Sequence, residues 1–274
     1  MTAVDALGKE RNLIAWLGQA RSVLIGYSGG VDSAYLACVA VDTLGPDRVL
    51  AVTGRSASYP DSQWAMARAV AEQFGIPTLV IDTDEISDRR YAANPENRCY
   101  FCKTELWHRL EPIARQRGAV LIDGTNADDL GDDRPGTAAG REYGVKSPLV
   151  HAGLTKGDIR ERSRARGIPT WNQPSAPCLA SRIPHGTPVT VGRLQAVERA
   201  ESGLRAIGVV GNLRVRHHGE TARVELDRDQ LDRWLTPPNR VVLEEAVRQA
   251  GYASVIVDPA GYRTGGADAP LSRA

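Results

Sequence analysis

The densest chemistry in this chain lies in Ser28-Gly29-Gly30-Val31-Asp32-Ser33. Gly29 and Gly30 let a phosphate approach the backbone where a Cβ would intervene. Ser28 and Ser33 add hydroxyl donors, and the preceding Val23-Leu24-Ile25 is an apolar run that suits a buried strand. Val31, Ala34, Tyr35 and Cys38 then begin a helical pattern with Asp32 and Ser33 in its first turn. A strand, tight turn and helix in that order aim free backbone N–H groups and the positive end of a helix dipole at one point, which is an anion site. The stretch has neither Gly-x4-Gly-Lys-Ser/Thr nor Gly-x-Gly-x-x-Gly spacing. An ordinary strand-to-helix turn is the plain alternative for a bare Gly-Gly.

Sulfur supplies the second group. Four cysteines are too few for a disulfide scaffold in 274 residues, and a cytoplasmic chain would keep them reduced. Cys38 falls in the apolar helix and reads as core. Cys99 and Cys102 form a Cys-x-x-Cys between Arg98 and Lys103, cations that favour the thiolate. By itself the pair fits a redox couple, half a zinc site or coincidence. No thioredoxin-like context surrounds it, and no second pair completes a four-cysteine zinc site. Cys178 is the third thiol; Pro174 and Pro177 near it imply a rigid, non-helical presentation. Three thiolates with an open fourth position suit a 4Fe–4S cluster; three unrelated reduced cysteines are the alternative.

A third group is cationic. In Leu213-Arg214-Val215-Arg216 both arginines fall on one face of a strand. Two guanidinium forks there suit a phosphate monoester, and a solvated strand face is the competing reading. His217 and His218 read as surface residues beside a turn, with a phosphate or metal contact as the alternative.

The elements that must position these groups alternate. A lead-in helix within 4–20 precedes strand Val23–Tyr27, helix Asp32–Leu44, strand Val49–Thr53, helix Pro60–Phe74, strand Thr78–Asp82, a helix near Lys103–Arg117 and strand Val120–Asp123. Such alternation predicts an α/β fold, a parallel sheet with helices on both faces. Loops after the strands, 26–33, 53–58, 82–85 and 123–129, should converge at the carboxyl edge. Residues 125–150, rich in Gly, Asp and Pro, read as a functional loop or lid. Helix Lys156–Arg166 has Thr155 as cap and Asp158 in capping-box position; its four arginines, at 160, 162, 164 and 166, read as solvated. A small α+β unit follows: helix Val191–Ile207, strands Leu213–His217 and Thr221–Leu226, helices Arg228–Trp234 and Arg240–Ala250, and strand Ser254–Val257. We expect domains at 1–187 and 188–262, with 263–274 a frayed tail.

SGGVDS resembles the signature of PP-loop enzymes, which place the pyrophosphate of ATP there and release AMP. With Asp123–Gly136 (DGTNADDLGDDRPG), Pro174–Gly186 (PSAPCLASRIPHG) and Leu213–Gly219 (LRVRHHG) following in order, the chain resembles the LarE family over about 20–260. Those are sulfur transferases that build a nickel-pincer nucleotide cofactor. The resemblance implies a PP-loop domain followed by a small α+β domain, and a pyridinium mononucleotide with two carboxylates as substrate. ATP adenylates a carboxylate and a sulfur nucleophile displaces AMP. It implies that Ser28, Gly29, Gly30 and Ser33 cradle the pyrophosphate and that Asp32 holds Mg²⁺. Thr53, Asp123, Thr125, Asn126 and Arg134 would line the ATP site. Ser181, Arg182, Arg214 and Arg216 would take the substrate phosphate, and Glu201 and Glu225 match acidic positions near a metal. Cys99, Cys102 and Cys178 would hold a 4Fe–4S cluster that carries sulfide; in the family's other form the cysteine at the position of Cys178 gives up its own sulfur.

A tRNA thiolase also joins such a loop to three cysteines. Lys and Arg total 34 against 33 Asp and Glu, and no Lys/Arg-dense, aromatic-studded stretch offers an RNA surface. An NAD-synthetase-like ligase would share the loop but has no use for three placed thiols, and an ATP-binding iron–sulfur sensor would bind nucleotide without releasing pyrophosphate. The longest apolar run, Ala34–Val41, is eight residues, well short of a membrane span. The expectation is therefore a cytoplasmic enzyme acting on a small nucleotide without nucleic acid or membrane, and by family analogy a homo-oligomer.

Overall fold

A computed structural model of the chain describes residues 5–131, 135–263 and 265–269. In order, its elements are α1 (Ala6–Gly18), β1 (Val23–Gly26), α2 (Val31–Leu44), β2 (Val49–Arg55), α3 (Asp61–Gln73), β3 (Thr78–Asp82), α4 (Arg89–Ala92), α5 (Arg98–Arg117) and β4 (Val120–Ile122). They continue with α6 (Pro135–Glu142), α7 (Pro148–His151), α8 (Lys156–Ala165), α9 (Val191–Ala206), β5 (Leu213–His218), β6 (Thr221–Leu226), α10 (Arg228–Leu235), α11 (Asn239–Gln249) and β7 (Ser254–Val257). Two compact units result. One comprises the residues up to Glu85 and Asn97–Ala176; the other comprises Ile86–Glu96 and the residues from Pro177 onward. Residues 177–187, expected with the first domain, therefore belong with the second. The side-chain amide of Asn94 donates to the carbonyls of Pro184 and Thr187, and Arg182 pairs with Glu201.

The first unit is built on a parallel sheet in the order β3-β2-β1-β4. Val23 and Ile25 pack with α1, α2 and α8 on one face, while Leu24 packs with Trp107 and Leu110 of α5 on the other. That is the period-two alternation of a strand covered on both faces. The chain leaves β1 toward β2 on one side and β4 on the other, so the loops after β1 and β4 flank a topological switch point. Cys38 lies in the core, where burial pushes its thiol up to about 12.

Three local expectations change. Helix α5 begins at Arg98, so the Cys99/Cys102 pair lies in its first turn and not ahead of it. The stretch 125–150 contains α6 and α7. Of the four arginines at 160–166, Arg164 is exposed as expected, while Arg160, Arg162 and Arg166 are half-buried. Arg162 and Arg166, one turn apart, both reach the Glu10 carboxylate, which is about 5 % exposed; Tyr35 Oη donates to it at 2.8 Å. Arg160 donates to the Gln173 carbonyl and Arg164 lies over Trp171. Spacing by four places 162 and 166 on one face, whatever the residues between. The Thr155/Asp158 capping box forms as expected.

In the second unit β5 and β6 form an antiparallel hairpin, and β7 adds parallel to β6 after α10 and α11. His217, expected at the surface, is buried, with Nδ1 3.2 Å from Tyr252 Oη. Burial holds both His217 and His218 below the usual imidazole range. The described part of the expected tail is also packed: Gly266 and Ala267 are buried, and Arg223 donates to the carbonyls of Gly266 and Ala269. A buried guanidinium needs acceptors on every side, and this segment supplies two. Among the described residues no helix is long and apolar enough to cross a membrane.

Burial opposes ionisation of Glu10, but Arg166, Arg162 and Tyr35 donate to it and bring its carboxyl down to about 2 from 4.5. A depressed carboxyl stabilises the fold fully above the unfolded value and loses that contribution as pH falls through the folded one. Urea denaturation from pH 7 down to 2 should show a loss on the order of 3 kcal/mol below about pH 4.5. Glu10→Gln should lack that acid-dependent component and be less stable at neutral pH by about 3 kcal/mol, since it strands two arginines.

Candidate functional site

At the end of β1 the chain turns through Ser28 to Gly30 into α2. Gly29 has φ +67°, and a Cβ there would lie 2.3 Å from that of Ala67, so the loop presses against α3 where no side chain fits. Gly30 is the N-cap of α2 and offers no side-chain cap. The first N–H groups of that helix consequently point out of the loop without a capping side chain. Ser28 and Ser33 hydroxyls lie 3.1 Å apart, and Ser33 donates to the Gly30 carbonyl. The Ser28 carbonyl is held by Tyr59 Oη and Gln63 Nε2. Thr53 donates from Oγ1 to the Tyr27 carbonyl at 2.8 Å, so it props the loop from β2.

Asp32 projects from the first turn of α2. Its Oδ2 accepts from Lys156 Nζ at 2.5 Å, while Oδ1 is buried with no hydrogen-bond partner. A buried carboxylate oxygen without a donor suits a hard divalent cation, so Asp32 fits Mg²⁺. Lys156 was not singled out in the sequence because its partner lies 124 residues away. The only local signal was its place directly after the Thr155 cap. Its backbone N–H also donates to Asp128 Oδ2, which ties the loop after β4 to the start of α8.

That loop is self-braced. Asp123 accepts from Thr125 N–H, Thr125 Oγ1 and Ser147 Oγ; buried Asn126 accepts from Asp128 N–H. Beside it a cavity of about 370 Å³ is lined by Asp123, Thr125, Leu130, Arg141, Val145, Ser147 and Val150. Apolar walls with a few polar groups are the make-up of a small-ligand pocket. Arg134 lies outside the described residues. Cys99 and Cys102 stand one turn apart at the start of α5, the first exposed and the second half-buried. Sulfurs at i and i+3 share a helix face.

The second unit gathers the other candidates. Cys178 is half-buried and precedes a 3-10 turn, Leu179–Arg182. Arg182 donates to the carbonyls of Pro177 and Cys178 and to Ser181 Oγ. It also forms a two-pronged pair with Glu201 at 2.9 Å. Glu201 accepts in addition from Val215 N–H. Arg216 donates to Glu225 and to the Ser181 carbonyl; Glu225 is fully buried and also meets Arg223. Both glutamates, metal candidates in the sequence, thus serve arginines here. Among the described residues no group of three or more His, Cys, Asp or Glu is arranged to hold a metal ion.

Arg214 and Arg216 are both under about 6 % exposed, so the solvated strand face does not apply. Burial, and then the neighbouring Arg182 cation, push Arg214 down to about 10. Four buried guanidinium groups, Arg182, Arg214, Arg216 and Arg223, lie here against the three carboxylates of Glu201, Glu225 and Asp258. An anion would relieve that imbalance.

A β-strand, a glycine turn and an uncapped helix start at the switch point of a parallel sheet are the framework of a nucleotide-binding α/β protein, and its relatives make it an enzyme of the ATP-using PP-loop class. Residues 12–128 match the family model described as NAD synthase. The chain is 32 % identical over 267 residues to the pyridinium-3,5-bisthiocarboxylic acid mononucleotide synthase of Lactiplantibacillus plantarum, covering 97 % of this chain and 96 % of that one. It is 41 % identical over 258 residues to an uncharacterized protein of Synechocystis, covering 94 % and 96 %. An NMN synthetase from Francisella tularensis shares the fold, with TM-score 0.51 and 20 % identity over 63 % of this chain and 76 % of that one. The chain belongs to the LarE family.

Gly29→Ala should weaken ATP binding by at least about tenfold in calorimetry, through the left-handed backbone and the clash with α3, with circular dichroism unchanged. Lys156→Ala should also weaken ATP binding; unaltered affinity would assign Lys156 to structure alone.

Proposed function

We propose that this protein is an ATP-dependent sulfur transferase that converts a carboxylate of pyridinium-3,5-biscarboxylic acid mononucleotide to a thiocarboxylate. The observation that carries the reading is the joint presence of an uncapped PP-loop helix and, in the second unit, a buried arginine cluster beside Cys178. The L. plantarum relative is a pyridinium-3,5-bisthiocarboxylic acid mononucleotide synthase, which supports the substrate class.

The chemistry follows from the residues. The N–H groups opening α2, with Ser28 and Ser33, take the β- and γ-phosphates. Asp32 would hold a Mg²⁺ that neutralises them, and Lys156 adds a cation beside it. A substrate carboxylate oxygen attacks the α-phosphorus, the bond to the bridging oxygen breaks, and pyrophosphate leaves. The mixed anhydride makes the carbonyl carbon electrophilic. A sulfur nucleophile adds there, and AMP departs with the original carboxylate oxygen. Arg214 and Arg216 hold the mononucleotide phosphate. Glu201 keeps Arg182 in place over Ser181 and the Cys178 carbonyl.

The sulfur is assigned to a 4Fe–4S cluster on Cys99, Cys102 and Cys178, which when bound supplies a transferable sulfide. The helical Cys-x-x-Cys supports that assignment: two sulfurs on one face of a helix start fit two ligand positions. A second reading has Cys178, half-buried ahead of the 3-10 turn Leu179–Arg182, give up its own sulfur.

Incubation with ATP and the biscarboxylic mononucleotide should release pyrophosphate and AMP in step with thiocarboxylate; release of ADP would sink the proposal. Cys178→Ala should keep mononucleotide-dependent exchange of pyrophosphate into ATP and abolish the thiocarboxylate. Anaerobic purification with iron analysis separates the two sulfur sources. Iron and a broad visible absorbance support the cluster. A Cys178 peptide lighter by hydrogen sulfide after turnover supports sacrifice.

A further inference from the structure

The residues after β7 fold back along β6 and engage the arginines one after another. Asp258 N–H donates to the Val224 carbonyl and Tyr262 N–H to that of Leu226, which anchors the return. The ring of Tyr262 then lies 5.1 Å from the guanidinium carbon of Arg214. The Arg263 carbonyl accepts from Arg216 Nη2 at 3.2 Å, and its side chain pairs with Asp258 at 2.9 Å. Further on, the carbonyls of Gly266 and Ala269 accept from Arg223. Asp268 closes the run by accepting from His185 N–H and pairing with its Nδ1, at 2.7 and 2.8 Å.

Gly266 lies directly over the Glu225 carboxylate. A Cβ there would stand 2.6 Å from Glu225 Oε1 and 3.3 Å from Arg216 Nη2. Arg216 has four of its five N–H groups engaged, by Glu225, the Ser181 carbonyl and the Arg263 carbonyl. One Nη1 N–H remains to meet a ligand in a fixed direction. A guanidinium stacked on an aromatic face loses its freedom to swing without giving up donors at its edge.

We propose that the segment after β7 is a working part of the substrate site, in which Tyr262 and the Arg263 carbonyl set the guanidinium planes of Arg214 and Arg216 for a phosphate monoester. Tyr262 is then a positioning residue, acting through Arg214. The proposal rests on the assignment of those arginines to the substrate phosphate. It adds that their competence depends on a strap formed by the residues that follow β7.

The test uses the full chain with three probes: the biscarboxylic mononucleotide, ATP and inorganic phosphate. Tyr262→Leu should raise the KM for the mononucleotide about tenfold, the scale of a desolvated cation–π contact, with the KM for ATP unchanged. Tyr262→Phe keeps the ring and should behave as wild type. Inorganic phosphate should raise the melting temperature of wild type and Tyr262→Phe but not of Tyr262→Leu. Gly266→Ala, which lifts the strap from Glu225, should lose the same phosphate response. Equal behaviour of the Phe and Leu variants, an equal effect on both KM values, or a wild type indifferent to phosphate each overturns the strap. A wild type that answers to phosphate through the ring yet never turns over the mononucleotide keeps the strap and refutes the substrate.

Discussion

A helix whose first N–H groups have no capping side chain is incomplete, and α2 is left so at the centre of the sheet. The cost is tolerable because the start of α2 is otherwise fully supported: its body is buried nearly all round, and Tyr59 and Gln63 fasten the loop before it. What the protein gains is a fixed cluster of donors that needs no rearrangement when polyphosphate arrives. Lys156 adds to the same framework, since its ammonium pairs with the Asp32 carboxylate in the first turn of α2.

The second unit solves a different problem. Buried arginines are expensive unless every donor finds an acceptor. Arg182, Arg216 and Arg223 are met by Glu201, Glu225, Asp258 and several main-chain carbonyls. Arg214 donates to the Leu213 carbonyl and packs on Tyr262, beside other cations. The unit thus carries a concentration of positive charge within a packed interior, where an anion gains more than it would at a solvated surface. Two distinct devices, a helix start and an arginine cluster, thus offer positive charge to anions, and the proposed reaction would use one for each of its two phosphate-bearing molecules.

Much of this was readable from residue order. The period-two and helical patterns placed β1 to β7 within a residue or two of their observed positions, because each element's apolar face repeats locally. SGGVDS named its own anion site, because glycine, hydroxyl and helix start are consecutive. The thiols and Arg214/Arg216 were visible as residue types, though the helical setting of Cys99 and Cys102 was not, since no breaker stands between Asn97 and the pair to show where α5 starts. The arginines of α8 and His217 read as solvent-facing because their partners are distant in sequence: Glu10 lies 152 residues from Arg162, and Tyr252 lies 35 from His217.

What the sequence by itself determined is the set of elements, the parallel sheet and the chemistry of the loop, all of which follow from neighbours along the chain. Tertiary structure alone decided which charges are paired, that Lys156 guards Asp32, and that the residues after β7 brace the arginines. The reason is physical. A propensity or a glycine turn acts over a few residues, whereas a buried charge is satisfied by whichever acceptor the fold brings within 3 Å, and no local pattern records that acceptor.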